Sequence, residues 1–304
     1  MKLKSNLYTK NITKTHTSRP REKGLSLRKK TLILILISLA FLSFIFIKGM
    51  RIGGKDLAVD FANKLQGPSI DHIFGTDAHG RDMALRTIKG LSTSLYIGII
   101  GSISSLVIAT IFSLILSVGN KRIDKMVNFI IDIFLSIPHM MLLILISVAT
   151  GRGANGVILG IALTHWTGLT RLLRGEILEL KNENFIKISK SLGKSKFFIF
   201  KNHILPHIGG QIIVGLILLF PHAILHESAI SFLGFGLSLS TPSIGIILSE
   251  SMKYLLQGHW YLAFFPGLLL CMVVYAINLL GENLSRLIAP YSCLLYTSDA
   301  ADEG

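Results

Sequence analysis

Six stretches of this chain run almost free of charge, at 31–47, 91–119, 127–149, 157–170, 208–226 and 261–281. A helix needs about 20 apolar residues to cross the roughly 30 Å of hydrocarbon in a bilayer. The six blocks therefore read as six membrane helices, with 157–170 somewhat short. A soluble core would not require its apolar residues to be segregated in this way. Half of the 304 residues are hydrophobic and 16% are charged, which places the chain among membrane proteins.

The first block follows a basic segment, as the core of a secretion signal does, but it is longer than such a core. No small-residue cleavage pattern follows in "IKGMRIGG", so 31–47 is read as a retained helix. The formal charge of +14 invites a nucleic-acid reading, and its distribution argues against one. Residues 1–30 hold ten Lys or Arg against one acid, residues 171–203 hold eight against three, and Lys121, Arg122 and Lys125 sit between the second and third blocks. Six spans with both termini in the cytoplasm put all three clusters on the inner face, as the positive-inside rule expects. Residues 48–90 would lie outside with seven Lys or Arg, balanced in part by Asp56, Asp60, Asp71, Asp77 and Asp82.

This divides the chain into a basic, disordered cytoplasmic arm at 1–30 that sets topology and touches lipid, a membrane domain at 31–290, and a tail at 291–304. The tail, "YSCLLYTSDAADEG", resembles translated adapter sequence and is not expected to be native. Cys271 and Cys293 offer neither a disulfide framework nor a paired-cysteine metal site. Gly75 and Gly80 have the spacing of a phosphate-binding loop, but Arg81 and Asp82 stand where Lys and Ser or Thr are needed, so nucleotide binding is excluded there. In the third block Asp132 is expected to reach water. His139, behind Pro138, is expected to make a structural hydrogen bond where the helix is distorted.

Between the fourth and fifth blocks, "RLLRGEILELKNENFIKISKSLGKSKFFIFKNHILPH" at 171–207 shows helical periodicity on both sides of Gly193. A glycine there permits a turn between two short helices beneath the membrane. The stretch "SKSLGKSKFFIFKNHILP" resembles the cytoplasmic loop of permease subunits of bacterial ABC importers, in which a glycine is followed a dozen residues later by Leu-Pro. Gly193, Leu205 and Pro206 match, whereas Lys187, Ile188 and Ser189 stand where Glu-Ala-Ala is typical. "FGTDAHGRDMALRTIKG" at 74–90, "ESAISFLGFGLSLSTPSIGIILSESMKYL" at 227–255 and "FFPGLLLCMVVYAINLLGENLSRLIAP" at 264–290 resemble the dipeptide, oligopeptide and nickel branch of these importers.

The resemblance implies an all-α membrane protein with six transmembrane helices of the ABC importer permease type and a coupling loop at about 174–207. It implies a second permease subunit, giving a heterodimer, two ATPase subunits that hold the ATP and Mg, and an extracytoplasmic substrate-binding protein, all at the bacterial inner membrane. This chain itself would bind no cofactor and catalyse nothing. Lys187, Ser191, Leu192, Gly193, Leu205 and Pro206 are the coupling residues it implies.

His222 and His226, in "FPHAILHE", lie four apart and hence on one helical face, where two imidazoles can share a ligand. Imidazole suits nickel, copper and zinc, and ionisable residues inside a span usually face a pathway. Nickel-transport permeases resemble this chain in such a pair and in "ALTHW", which supplies His165. The expected substrate path is therefore His165, His222, His226 and Glu227, with His222 and His226 as transient metal ligands and nickel or a nickel chelate as cargo. A dipeptide or oligopeptide is the alternative.

An intramembrane metalloprotease is a remote alternative, because a zinc helix reads His-Glu-x-x-His, whereas Ala223 follows His222 and Glu227 follows the second histidine. A passive metal channel would have no use for the loop around Gly193.

Overall fold

The computed structural model describes residues 27–288; residues 1–26 of the expected arm and the tail at 291–304 lie outside the described residues. Among the described residues the chain is helical, with one isolated bridge between Thr76 and Asp82 and no strand. Five long apolar helices are α1 (Leu27–Arg51), α2 (Met83–Val118), α5 (Gly153–Leu180), α8 (Leu205–Phe232) and α10 (Tyr261–Ile288). A sixth candidate span is a bent pair, α3 (Lys121–Ser136) and α4 (His139–Ala149), whose axes meet at 91°, the geometry of a broken span or of a re-entrant loop. Two short helices, α6 (Asn184–Ser191) and α7 (Lys196–Ile199), lie between α5 and α8, and α9 (Ile244–Leu255) lies between α8 and α10.

The third expected span is thus broken rather than distorted. Pro138 forces its predecessor out of the helical region, and Ile137 adopts φ −91° and ψ 131°, so α3 ends at Ser136 and α4 restarts at His139. The fourth expected span is longer than its apolar block. Helical periodicity continues through the charged stretch after Thr170, and α5 reaches 28 residues. Residues 27–30, assigned above to the arm, form the first turn of α1.

At 36 residues, α2 is about 54 Å long and packs against α1, α5 and α8. Asp82 caps its first turn by accepting from the Leu85 N–H at 2.9 Å. Its buried face carries Gly98, Gly101, Ser102, Ser105 and Ala109, small residues that let helix backbones approach in a membrane. A Cβ on Gly101 would stand 2.8 Å from Cγ2 of Ile161 in α5, and the Ser105 hydroxyl donates to the Ile161 carbonyl at 3.0 Å.

The segment before α2 folds back onto the helix ends. Asp77 accepts from Nε of Arg81 at 2.7 Å and from Arg86 at 3.0 Å, while the other arm of Arg86 donates to Glu250 on α9. Two of the positive charges that fit poorly outside the membrane are thereby paired.

At the opposite end, Lys181 donates to the Leu116 carbonyl and Lys196 to the Val118 carbonyl at 3.0 Å, covering carbonyls that the last turn of α2 leaves open. Burial, with Lys190 nearby, holds the Lys181 ammonium below the usual lysine range even though Asp124 acts in the opposite sense.

Candidate translocation site and coupling hairpin

The break at Pro138 positions the first residue of α4 inside the bundle. His139 meets His165, midway along α5, and His226, in the C-terminal half of α8. Ring centroids are 4.6 Å apart for His139 and His165, 4.7 Å for His139 and His226, and 5.1 Å for His165 and His226. One donor atom from each lies within 4.8 Å of the others. Apolar residues of the same helices and of α2 pack together, among them Ile97, Leu143, Ile161 and Ala223.

The imidazoles differ in what holds them. His165 is 8% exposed, and its Nδ1 lies 3.1 Å from the Ile161 carbonyl one turn back. The Thr164 hydroxyl lies 3.0 Å from the same Nδ1; donation from Nδ1 to the carbonyl, which can only accept, leaves Nε2 with its lone pair. Nε2 of His165 and Nε2 of His139 are both buried with no hydrogen-bond partner. His226 Nδ1 lies 2.9 Å from the sulfur of Met140.

Of the expected His222 and His226 pair, only His226 joins the close group of three, with His222 near enough to act electrostatically on all three. His222 is exposed, its Nδ1 turned to the Leu218 carbonyl at 3.0 Å, whereas His226 turns toward the broken span. Glu227, about 100° further round α8, points elsewhere again. Its carboxyl is fully buried, accepts from Ser231 at 2.9 Å and Ser228 at 3.4 Å, and has Ser94 of α2 and Ser243 close by. It lies between α8, α2 and the start of α9 and is not one of the three close donors. His139 does not make the expected hydrogen bond through its buried Nε2, and Asp132 pairs with Arg171 at 2.8 Å.

Around Gly193 the chain forms a helical hairpin. Gly193 has φ +74°, a left-handed conformation that costs an L side chain about 1–2 kcal/mol. Ile186, Ile199, Phe200 and Ile204 are buried against α5 and the end of α2. On the other face Ile188 is 60% exposed, Leu192 71% and Phe197 60%. Lys187 and Ser191 are exposed beside them, as is Pro206, while Leu205 is half-buried at the start of α8. Between α7 and α8, Phe200–Ile204 is wound as a π-helix, which keeps α7, the second arm of the hairpin, and α8 on one continuous rod.

Residues 106–291, more than half of the chain, match the family described as binding-protein-dependent transport system inner membrane component. The chain is 35% identical over 223 residues to the dipeptide transport system permease protein DppC of Bacillus subtilis, covering 73% of this chain and 70% of that protein. It is 34% identical over 224 residues to the oligopeptide transport system permease protein OppC of the same organism, with 73% of each chain covered. It is also 31% identical over 268 residues to DppC of Alkalihalophilus pseudofirmus, covering 88% of both. In fold it resembles a chain of the MetNI methionine ABC transporter solved in inward-facing conformations, with a TM-score of 0.56, 19% identity, and coverage of 68% of this chain and 98% of that one. With its helical bundle, five or six apolar crossings and these relatives, the chain belongs to the ABC permease family of binding-protein-dependent transport system inner membrane components.

Proposed function

We propose that this chain is one permease subunit of a binding-protein-dependent ABC importer that moves short peptides across the inner membrane. The assignment of cargo is carried by the relatives above, which are named for dipeptides and oligopeptides. Nickel, the cargo expected from the histidines, takes second place, because none of those names points to a metal. One observation keeps it as a second reading, namely the meeting of three histidines in the bundle.

In this reading both termini are cytoplasmic, so the hairpin around Gly193 projects toward two partner ATPases that hold ATP and Mg. Its exposed Ile188, Leu192 and Phe197 supply an apolar docking face, and its tether to α2 passes ATPase closure to the spans as a rigid-body motion. A second permease subunit completes the pore, and an extracytoplasmic binding protein delivers cargo. This subunit binds and hydrolyses no nucleotide.

The test is uptake by cells carrying the whole transporter, with radiolabelled dipeptide and radiolabelled nickel compared side by side and a strain lacking this subunit as control. Subunit-dependent accumulation of dipeptide is expected. Subunit-dependent nickel uptake without peptide uptake would overturn the peptide reading and promote the metal.

A further inference from the structure

We infer that His139, His165 and His226 form an intramembrane binding site for a late first-row transition-metal ion such as nickel, copper or zinc. The inference does not depend on the cargo assignment, because it concerns equilibrium binding of the ion by these three side chains.

The first argument is convergence. The three imidazoles come from three separate elements, α4, α5 and α8, and their donor atoms all lie within 4.8 Å of one another. Three nitrogens bound to one ion at about 2.0–2.1 Å would stand roughly 3.3 Å apart. Closure therefore needs each ring to swing by about 1 Å, within the reach of side-chain rotation. The break at Pro138 leaves His139 at a helix start rather than within a continuous ladder.

The second argument concerns unmet valence. The buried Nε2 atoms of His139 and His165 have no partner, and a buried polar atom without one costs about 1–3 kcal/mol. With both rings in the Nδ1-protonated tautomer, the two Nε2 lone pairs donating to one cation remove that cost at once. His165 can present Nε2 as a metal ligand would, because its Nδ1 has partners in the Ile161 carbonyl at 3.1 Å and the Thr164 hydroxyl at 3.0 Å, and donation to the carbonyl leaves Nε2 as the donor. Close ring packing alone accounts for the contacts among the three rings, but leaves both nitrogens empty.

The third argument concerns which ion. Imidazole is a borderline donor that suits nickel, copper and zinc, and the site contains no carboxylate such as calcium or magnesium requires. Met140, whose sulfur lies 2.9 Å from His226, adds a soft donor at the rim. Three protein ligands leave at least one coordination position open for water or for a donor of a chelating molecule.

The assembled transporter in lipid nanodiscs is titrated with Ni²⁺ alone by equilibrium dialysis. Wild type is expected to bind one more ion per copy of this subunit than the triple variant His139→Ala/His165→Ala/His226→Ala. Each single variant is expected to weaken that ion at least tenfold, and His207→Ala, at an exposed histidine near the start of α8, to leave it unchanged. Equal affinity in wild type and in folded His139→Ala or His165→Ala overturns the inference. Should the alanine variants fail to assemble, electron paramagnetic resonance of Cu²⁺ on the wild-type assembly decides: coupling to imidazole nitrogens from more than one ring supports the site, and its absence overturns it. A binding failure with intact dipeptide uptake would remove the metal site alone and leave the proposed function standing.

Discussion

Replacing Arg86 by Met removes a guanidinium that joins the segment before α2 to α2 itself and to α9. Arg86 is 3% exposed; one arm donates to Asp77 at 3.0 Å and the other to Glu250. Removing one partner of a buried ion pair costs about 3–5 kcal/mol, chiefly because the other charge is left uncompensated. Here Asp77 retains Nε of Arg81 at 2.7 Å and the N–H groups of His79 and Arg81 at 2.8 and 3.0 Å. Glu250 is partly exposed and keeps Arg81 at 4.0 Å. The expected loss is therefore the low end, about 3 kcal/mol, which opens the segment about a hundredfold more often. Proteolysis within 52–82 of the lipid-reconstituted protein reads that population when reclosing outpaces cleavage. Glu250→Gln keeps an acceptor oxygen and should cost about 1 kcal/mol, and the double variant should be no worse than Arg86→Met within about 0.5 kcal/mol. A rise of less than about fivefold in Arg86→Met, or fully additive losses, would refute the clamp.

Two further outcomes concern the hairpin. Gly193→Val, at φ +74°, should uncouple ATP hydrolysis from uptake in the reconstituted transporter, with hydrolysis retained while transport falls at least tenfold; a proportional fall of both would point to simple misfolding. Leu192→Asp with Phe197→Ser changes side chains that are 71% and 60% exposed, so membrane levels of the subunit should hold while ATPase subunits no longer co-purify.

The six apolar blocks were legible because a bilayer requires about 20 apolar residues per crossing, a demand that a single strand of text displays directly. The ends were less so. Hydropathy averages across "SIPH", so a right-angled break counted as one span, and it drops at Arg171 although helical hydrogen bonding continues to Leu180. The hairpin showed itself through one glycine between two amphipathic stretches. The histidine cluster was harder, since spacing along one helix reports only neighbours on that helix. It favoured His222, which is exposed and not one of the three close donors, and gave His139 a structural role, although His139 meets its partners only through tertiary packing. The signal within reach was a histidine directly after a proline inside a span. Arg86 was counted as an awkward external charge because its partner Glu250 lies far along the chain.

The two ends of α2 are both fastened, one by Arg86 and Asp77 and the other by the lysine bonds to the carbonyls of Leu116 and Val118. A rod of 36 residues and about 54 Å, pinned at both tips, converts angle into distance: a tilt of about 10° about one tip sweeps the other through about 9 Å. Displacement on that scale exceeds the thickness of a peptide backbone, so whatever is bonded to the moving tip has to travel with it, and α2 can carry motion along its whole length without unwinding.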